Sequence, residues 1–194
     1  MNHSLSWRVL VFAGCLCCFQ SVQADDDTST TTTPSPNYLG ASLGMASSEF
    51  CTGLTNCGET SNTWKAYSGV RMAEKIFIEG GYVQFGDQQG SDGSNALSSS
   101  SKGYTTAGVV TYSVNDQIEL FGKAGLWWWE NEQKKSSGTV GTDGKDIFFG
   151  AGTNYDIGNN MGVRAEWERY QMTQDSSAKQ PLDLLSVGVT FSSL

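Results

Sequence analysis

The stretch Met161-Gly-Val-Arg-Ala-Glu-Trp-Glu-Arg-Tyr-Gln-Met172 alternates between apolar and charged side chains through its central part. Val163, Ala165 and Trp167 fall on one face of an extended chain, because successive side chains of a β-strand point to opposite sides. The other face carries Arg164, Glu166 and Glu168. The sequence therefore predicts a strand here with one apolar and one strongly charged face.

The same period of two recurs along the rest of the chain. With the stretch above, it defines eight candidate strands of about ten residues each. They are Tyr38–Ala46, Trp64–Met72, Lys75–Phe85, Tyr104–Val114, Ile118–Trp128, Asp146–Ile157, Met161–Met172 and Leu184–Phe191. In the second of these, Lys65, Tyr67 and Arg71 lie on the face opposite the apolar one.

Short and long connections alternate between these strands. Short turns are predicted at 73–74, 115–116 and 158–160, and long polar loops over 47–62, 86–102, 130–144 and 173–181. Strands joined by short turns pair antiparallel. In outer-membrane barrels the short turns face the periplasm and the long loops face the cell exterior. We therefore expect an all-β fold over residues 38–194, an eight-stranded antiparallel up-and-down transmembrane β-barrel with four long extracellular loops.

Composition and charge agree with this class. The chain has 194 residues, a formal net charge of −8, 16% charged residues and 23 glycines. The negative charge argues against a nucleic-acid binder. No apolar run approaches the ~18 residues that a membrane helix needs. A β-barrel crosses lipid without such a run, because its strands bond to one another in a closed ring.

Residues 1–24 have the pattern of a cleaved signal peptide. Arg8 precedes an apolar run over 9–19, and Val22-Gln23-Ala24 supplies the small residues of a cleavage site. Two alternatives stay open, a lipoprotein cleavage box at Phe12-Ala13-Gly14-Cys15 and an N-terminal core helix. Cleavage would remove the only histidine, His3. Residues 25–37, acidic and then rich in Thr and Pro, are predicted to be a flexible lead-in.

Cys51 and Cys57 lie in the first predicted long loop. A pair of cysteines in an exported chain predicts a disulfide. The spacing is not Cys-x-x-Cys, and two thiolates fall short of the four ligands of zinc. We therefore expect a loop disulfide and neither a redox switch nor a metal site.

Aromatic residues are predicted to form a girdle of two belts, one at each end of the strands. Amphipathic rings favour the boundary between lipid and water, so this placement favours a membrane barrel. The belt at the long-loop end consists of Trp64, Tyr82, Tyr104 and Trp128, and the belt at the short-turn end consists of Tyr38, Tyr112, Tyr155 and Phe191.

Alternation alone does not say which face meets lipid. A soluble eight-stranded ligand-binding barrel, such as a lipocalin, would enclose the apolar face instead. Eight glycines share their face with the charged residues, and small residues suit a narrow interior better than a solvated exterior. They are Gly40, Gly44, Gly69, Gly81, Gly125, Gly150, Gly152 and Gly188. The charged face is therefore predicted to be the inner one.

Three motifs resemble the transmembrane barrel of OmpA-type outer-membrane proteins. They are Phe77-Ile78-Glu79-Gly80-Gly81-Tyr82, Val163-Arg164-Ala165-Glu166-Trp167-Glu168 and Ser186-Val187-Gly188-Val189-Thr190-Phe191, and the resemblance spans about residues 38–191. It implies a barrel in the outer membrane of a Gram-negative bacterium. The family often adds a periplasmic peptidoglycan-binding domain, which we do not expect here, and it usually ends on an aromatic residue, a role that we expect Phe191 to take.

Seven charged residues on the predicted inner face are the candidates for an ion-pair cluster. An eight-stranded barrel is only wide enough for its own side chains, and an unpaired buried charge is costly, so opposite charges should pair. The seven are Arg71, Glu79, Glu119, Lys123, Arg164, Glu166 and Glu168. The resemblance implies the pairs Glu79–Arg164 and Glu166–Lys123. Two interpretations stay open: the pairs fill and rigidify the barrel, or an exchange of partners opens a narrow water path.

No catalytic residue and no cofactor are predicted. Loss of His3 with the signal peptide removes the usual general base, and no phosphate-binding or dinucleotide motif is present. Expected partners are outer-membrane lipid and lipopolysaccharide, the barrel-assembly machinery, and an extracellular ligand at the loops that the sequence does not identify. We expect a monomer with no nucleic-acid partner. Two functions remain, a structural and surface-interaction barrel or a narrow ion-pair-gated channel.

Overall fold

The computed structural model describes residues 37–48, 60–92, 95–135, 138–174 and 178–192. The predicted signal peptide, most of the lead-in and the cysteine pair lie outside these ranges. Within them, no helix is long and apolar enough to cross a membrane.

Nine β-strands make up the described part of the chain. All neighbouring pairs are antiparallel, and eight of these strands close into a ring in the order β1-β2-β3-β5-β6-β7-β8-β9. The short β4 pairs with β5 beyond the end of β3. The bounds are β1 Tyr38–Ser48, β2 Thr60–Ala73, β3 Ile76–Phe85, β4 Gln88–Asp92, β5 Asn95–Ser113, β6 Ile118–Lys135, β7 Gly138–Gly158, β8 Met161–Gln174 and β9 Ala178–Ser192. The predicted fold class is confirmed.

The strands extend much further than predicted at the long-loop end. The described residues of the regions 86–102, 130–144 and 173–181 are mostly strand, and β6 pairs with β7 as far as Lys135 opposite Gly138. Both faces of these extensions are polar, so the hydrophobic alternation that marks a strand fades while the backbone ladder continues. The predicted loop bounds were therefore too wide. At the opposite end, Asn159 and Asn160 have φ of 55° and 60°, which suits the tight turn between β7 and β8.

The outer surface of the ring is apolar and the inner surface is polar at mid-height. Leu43 is 73% exposed, whereas Arg164 is 2% exposed and Glu168 is 1% exposed. The alternative of a soluble ligand-binding barrel, which would enclose the apolar face and expose the charged one, is therefore excluded. Close packing between neighbouring strands explains two glycines: a Cβ on Gly125 would strike the backbone oxygen of Thr106, and one on Gly188 would strike that of Ala41.

The interior is filled in three layers. At the short-turn end, Phe77, Val109 and Phe121 pack together with Tyr38. Charged side chains occupy the middle. The layer at the long-hairpin end is a larger apolar cluster that contains Ala46, Val83, Phe85, Ala107, Trp127, Trp129, Phe148, Tyr170, Met172, Leu182 and Leu184. Interiors of outer-membrane barrels are usually polar, so this apolar layer is a distinctive feature of the chain.

Candidate functional site

Six charged side chains meet in the middle layer. Three are cationic and three are anionic, so their formal charges cancel. They come from strands on different sides of the ring: Lys65 on β2, Glu79 on β3, Lys123 on β6, and Arg164, Glu166 and Glu168 on β8. All six side chains are at most 5% exposed. We call this set the lumen network.

Each member of the lumen network has more than one partner. Lys123 Nζ lies 2.9 Å from Glu79 Oε1, 2.6 Å from Glu166 Oε1 and 2.7 Å from Glu168 Oε1. Arg164 donates from Nη1 to Glu79 Oε2 at 2.8 Å and from Nη2 to Glu166 Oε1 at 3.2 Å. Lys65 Nζ bonds to both Glu166 and Glu168. Removing any one of these groups would leave an opposite charge buried with fewer partners.

Aromatic residues close the network on both sides. On the short-turn side, the Tyr38 hydroxyl donates to Glu79 Oε2 at 2.7 Å. On the long-hairpin side, the Tyr170 hydroxyl donates to Glu168 Oε1 at 2.9 Å. The Arg164 guanidinium lies 4.0 Å from the ring centroid of Phe121. The network is thus bounded by rings that belong to the apolar layers.

Five of the seven charged residues predicted for the interior belong to the network, and both implied pairs are present. Arg71 and Glu119 lie elsewhere, because both are near strand ends. Arg71 donates to the backbone oxygens of Ala73 and Glu74 at 3.1 and 2.6 Å and so holds the β2–β3 turn. Glu119 accepts a bond of 3.2 Å from Asn154 Nδ2.

Lys65 is the member that the sequence analysis left out. The alternation of β2 already places it on the inner face, but neither predicted ion pair involves it. Its position depends on register: Lys65 lies opposite Ser42 on β1, and β9 and β8 follow next around the ring. Without strand pairing, a single inward lysine could not be matched to Glu166 and Glu168.

Seven of the eight predicted girdle residues lie on the outer surface, and Tyr38 does not. Tyr38 shares the parity of Gly40 and Ser42, so its ring points inward to Glu79. The prediction for Tyr38 was wrong because it used the position along the strand and ignored parity. At the long-hairpin end, Trp64, Tyr82 and Tyr104 form a row with centroids 5.4 and 5.3 Å apart, and Tyr104 lies opposite Trp128.

A small cavity at the long-hairpin end is lined in part by Phe85, Met172 and Leu182 of the apolar layer. Ser99, Ser101 and Asn131 line part of it, and Asn131 links the two serines through bonds of 3.3 and 3.1 Å. Its volume of about 30 Å³ leaves room for about two water molecules. In the described ranges, no group of three or more His, Cys, Asp or Glu side chains could hold a metal ion.

A closed ring of eight strands, apolar outside and ion-paired inside, defines a transmembrane β-barrel. A family model for the outer membrane protein beta-barrel domain matches residues 10–192, and the chain belongs to this family. The predicted resemblance to small outer-membrane barrels is thereby confirmed. Among curated proteins, none matches the sequence.

Solved structures share the fold at low identity. Neisserial surface protein A superposes with a TM-score of 0.64 at 12% identity, covering 81% of this chain and 97% of that one. Ail, the attachment invasion locus protein of Yersinia pestis, has a TM-score of 0.55 at 12% identity, covering 81% and 99%. OprG from Pseudomonas aeruginosa has a TM-score of 0.55 at 8% identity, covering 82% and 97%. These similarities concern the fold alone.

Proposed function

We propose that the protein is an outer-membrane barrel with a structural and surface-interaction role, which holds a β-sheet outside the cell for contacts with other molecules. The observation that carries this proposal is the combination of a filled interior with strands that continue beyond the aromatic row. The filled interior leaves only a cavity of about 30 Å³, which is too small for a ligand larger than water, so recognition is left to the projecting strands.

The projecting part is extensive. From Trp128 in the aromatic row, β6 continues for seven residues to Lys135, which corresponds to about 23 Å along the strand. Its partner β7 is exposed on both faces over residues 138–143, and Val140 is 53% exposed. In bacterial outer-membrane barrels the longer connections lie outside the cell. The sheet formed by β4, β5, β6 and β7 is then on the cell surface.

One of the solved structures supports a role in ligand binding. Ail, the attachment invasion locus protein of Yersinia pestis, has been crystallised in complex with the heparin analogue sucrose octasulfate. A barrel of this fold can therefore bind a ligand.

A shortened hairpin tests the proposal. Glu130 and Asp143 lie directly opposite each other, so a short turn in place of residues 131–142 keeps the β6–β7 pairs from Glu130–Asp143 toward the membrane, while it removes Asn131 and its bonds to Ser99 and Ser101. Bacteria expressing the full chain or the shortened chain are compared for adhesion to surfaces coated with heparin or with polypeptides, and folding is checked by heat-dependent gel migration. We expect adhesion above the empty-vector level only for the full chain. Equal adhesion of both chains, or none by either, would contradict the proposal.

One feature of the lumen network favours a second candidate, the ion-pair-gated channel. Lys123 contacts three carboxylates and Glu166 contacts three cations, so partners can be exchanged without leaving a charge unpaired. Planar bilayers distinguish the two functions. The surface-interaction proposal predicts no conductance steps for the wild type or for Glu79→Ala. Steps that become larger or more frequent in Glu79→Ala would instead establish a channel.

A further inference from the structure

Strand β7 has one side without a neighbouring strand near its start. Its ladder with β8 begins at Phe148 opposite Tyr170, whereas its ladder with β6 runs on to Gly138 opposite Lys135. Where the β7–β8 ladder stops, Thr173 bonds to the Asp146 side chain. Its backbone nitrogen donates to Oδ2 at 2.9 Å, and its hydroxyl donates to Oδ1 at 2.7 Å. Within the described residues, Gly138–Lys145 is therefore the open edge of a sheet, and we call it the β7 edge.

The groups that face the open side can be identified. The Asp156 nitrogen donates to the Gln117 oxygen at 2.8 Å, on the β6 side of β7. Backbone groups point alternately to the two sides of a strand, and the β6–β7 register is continuous from Tyr155 to Gly138. Even-numbered residues therefore bond to β6, and odd-numbered residues direct N–H and C=O groups outward. The latter are Thr139, Gly141, Asp143 and Lys145.

The β7 edge has few of the devices that protect sheet edges. Natural edges are usually blocked by proline, by several charges, by a bulge or by a covering segment. The β7 edge has no proline, its register with β6 shows no bulge, and both faces are exposed over 138–143. An edge of this kind can accept an extended peptide as an additional strand.

Charge indicates what the incoming segment should carry. Lys102, Glu130 and Asp143 lie side by side on one face of β5, β6 and β7. Lys102 Nζ lies 3.5 Å from Glu130. The next pair in the row, Glu130 and Asp143, places two acidic side chains directly opposite each other, which is unfavourable. Among the described side chains, no cation pairs with Asp143. An added strand would place a residue directly opposite Asp143, and a lysine or arginine there would complete the row.

We propose that the β7 edge binds an extended polypeptide segment as an added strand, with a basic side chain opposite Asp143. The inference rests on the proposed surface-interaction function and names its partner class. Main-chain bonds to the odd-numbered residues supply the attachment, and the basic side chain sets the register.

A matched pair of substitutions at Gly141 tests the main-chain part. A Cβ added at Gly141 meets nothing within 4 Å, so alanine has room, and the proline ring closes onto the backbone nitrogen that faces the open side. Only proline removes the N–H on the open side, and it leaves the bonds to β6 in place. The probe is a fluorescent peptide of alternating threonine and valine with one central lysine, titrated against the full chain in phospholipid nanodiscs. We expect wild-type binding for Gly141→Ala and about tenfold weaker binding for Gly141→Pro.

Charge reversal tests the register. Asp143→Lys should weaken binding of the lysine peptide and strengthen binding of the same peptide with glutamate at its centre. A peptide N-methylated at alternate positions should not bind. The proposal is overturned if the wild type does not bind the peptide, if the alanine and proline variants bind equally, or if the N-methylated peptide binds as well as its parent.

The adhesion assay separates this proposal from the proposed function. If the shortened hairpin loses adhesion while Gly141→Pro keeps it, the sheet makes its contacts elsewhere, and only the β7 edge proposal fails. If the shortened hairpin adheres normally, the proposed function fails whatever the peptide result.

Discussion

Replacing Lys123 with methionine should destabilise the barrel strongly. The lumen network holds three cations and three carboxylates, and Lys123 contacts all three of the latter. The substitution retains a long unbranched side chain but leaves three buried carboxylates with only Lys65 and Arg164. Breaking a buried ion pair by removing one partner costs about 3–5 kcal/mol. We expect the free energy of unfolding of Lys123→Met to fall by about that amount.

Urea unfolding in phospholipid vesicles, followed by tryptophan fluorescence, measures this change. The matched control is Lys102→Met, because Lys102 is half exposed and its ion pair with Glu130 spans 3.5 Å. An exposed pair of this kind contributes about 0–1 kcal/mol. Adding Glu168→Gln to Lys123→Met restores a neutral interior and should recover part of the loss. The reasoning is refuted if Lys123→Met behaves like Lys102→Met, or if the double variant is no more stable than the single one.

Three further predictions concern packing, the inward tyrosine and the first long loop. Gly125→Ala should destabilise the barrel by about 1–3 kcal/mol, because its Cβ meets backbone, whereas Gly122→Ala has open space and should be neutral, as measured by the temperature of the gel-migration shift. Tyr38→Phe should cost about 1.5–3 kcal/mol in urea unfolding through loss of its bond to Glu79, while the outward Tyr112→Phe should change little. The disulfide predicted for the first long loop should protect both of its cysteines from alkylation until a reductant is added, as read by mass spectrometry.

The predictable part of the fold follows from a single physical signal. A strand between lipid and a polar interior must alternate, so Trp167 outside and Arg164 inside could be assigned from sequence. The signal weakens where β6 and β7 leave the membrane, because water then lies on both sides of residues such as Thr139 and Thr142. The strands stay paired there although neither face is apolar, so no hydrophobic pattern in the sequence indicates a strand.

The candidate site was predictable in kind but not in membership. Parity identifies which charges face inward, but it does not give their heights along the barrel axis. Arg71 and Lys65 share a face of β2, yet only Lys65 reaches the level of Glu166 and Glu168. That level depends on the stagger between strands, which is a property of the closed ring. The sequence therefore predicted an interior ion-pair cluster correctly. From β2, however, it included Arg71, which lies outside the cluster, and omitted Lys65, which belongs to it.

The apolar layer and the projecting sheet are physically connected. Trp129 belongs to the layer, and its Nε1 donates to Asp146 Oδ2 at 2.9 Å. The same carboxylate accepts the bonds from Thr173 at the point where the β7–β8 ladder stops. The filled interior therefore fixes the place where the β7 edge begins. A rigid base lowers the entropic cost of adding a strand, because the β7 edge then loses less conformational freedom on binding.

Trp129→Phe tests this connection. Phenylalanine keeps an aromatic ring in the layer but cannot donate to Asp146, so the bonds between Asp146 and Thr173 should open more often. Loss of a hydrogen bond to a charged group should raise the equilibrium constant for local opening at Thr173 by about tenfold or more. Amide hydrogen exchange at Thr173 should accelerate by the same factor. Trp128→Phe, on the outer surface, is the control and should leave this exchange unchanged. If Trp129→Phe also leaves it unchanged, the layer does not hold the base of the edge, and the barrel and the sheet behave as independent units.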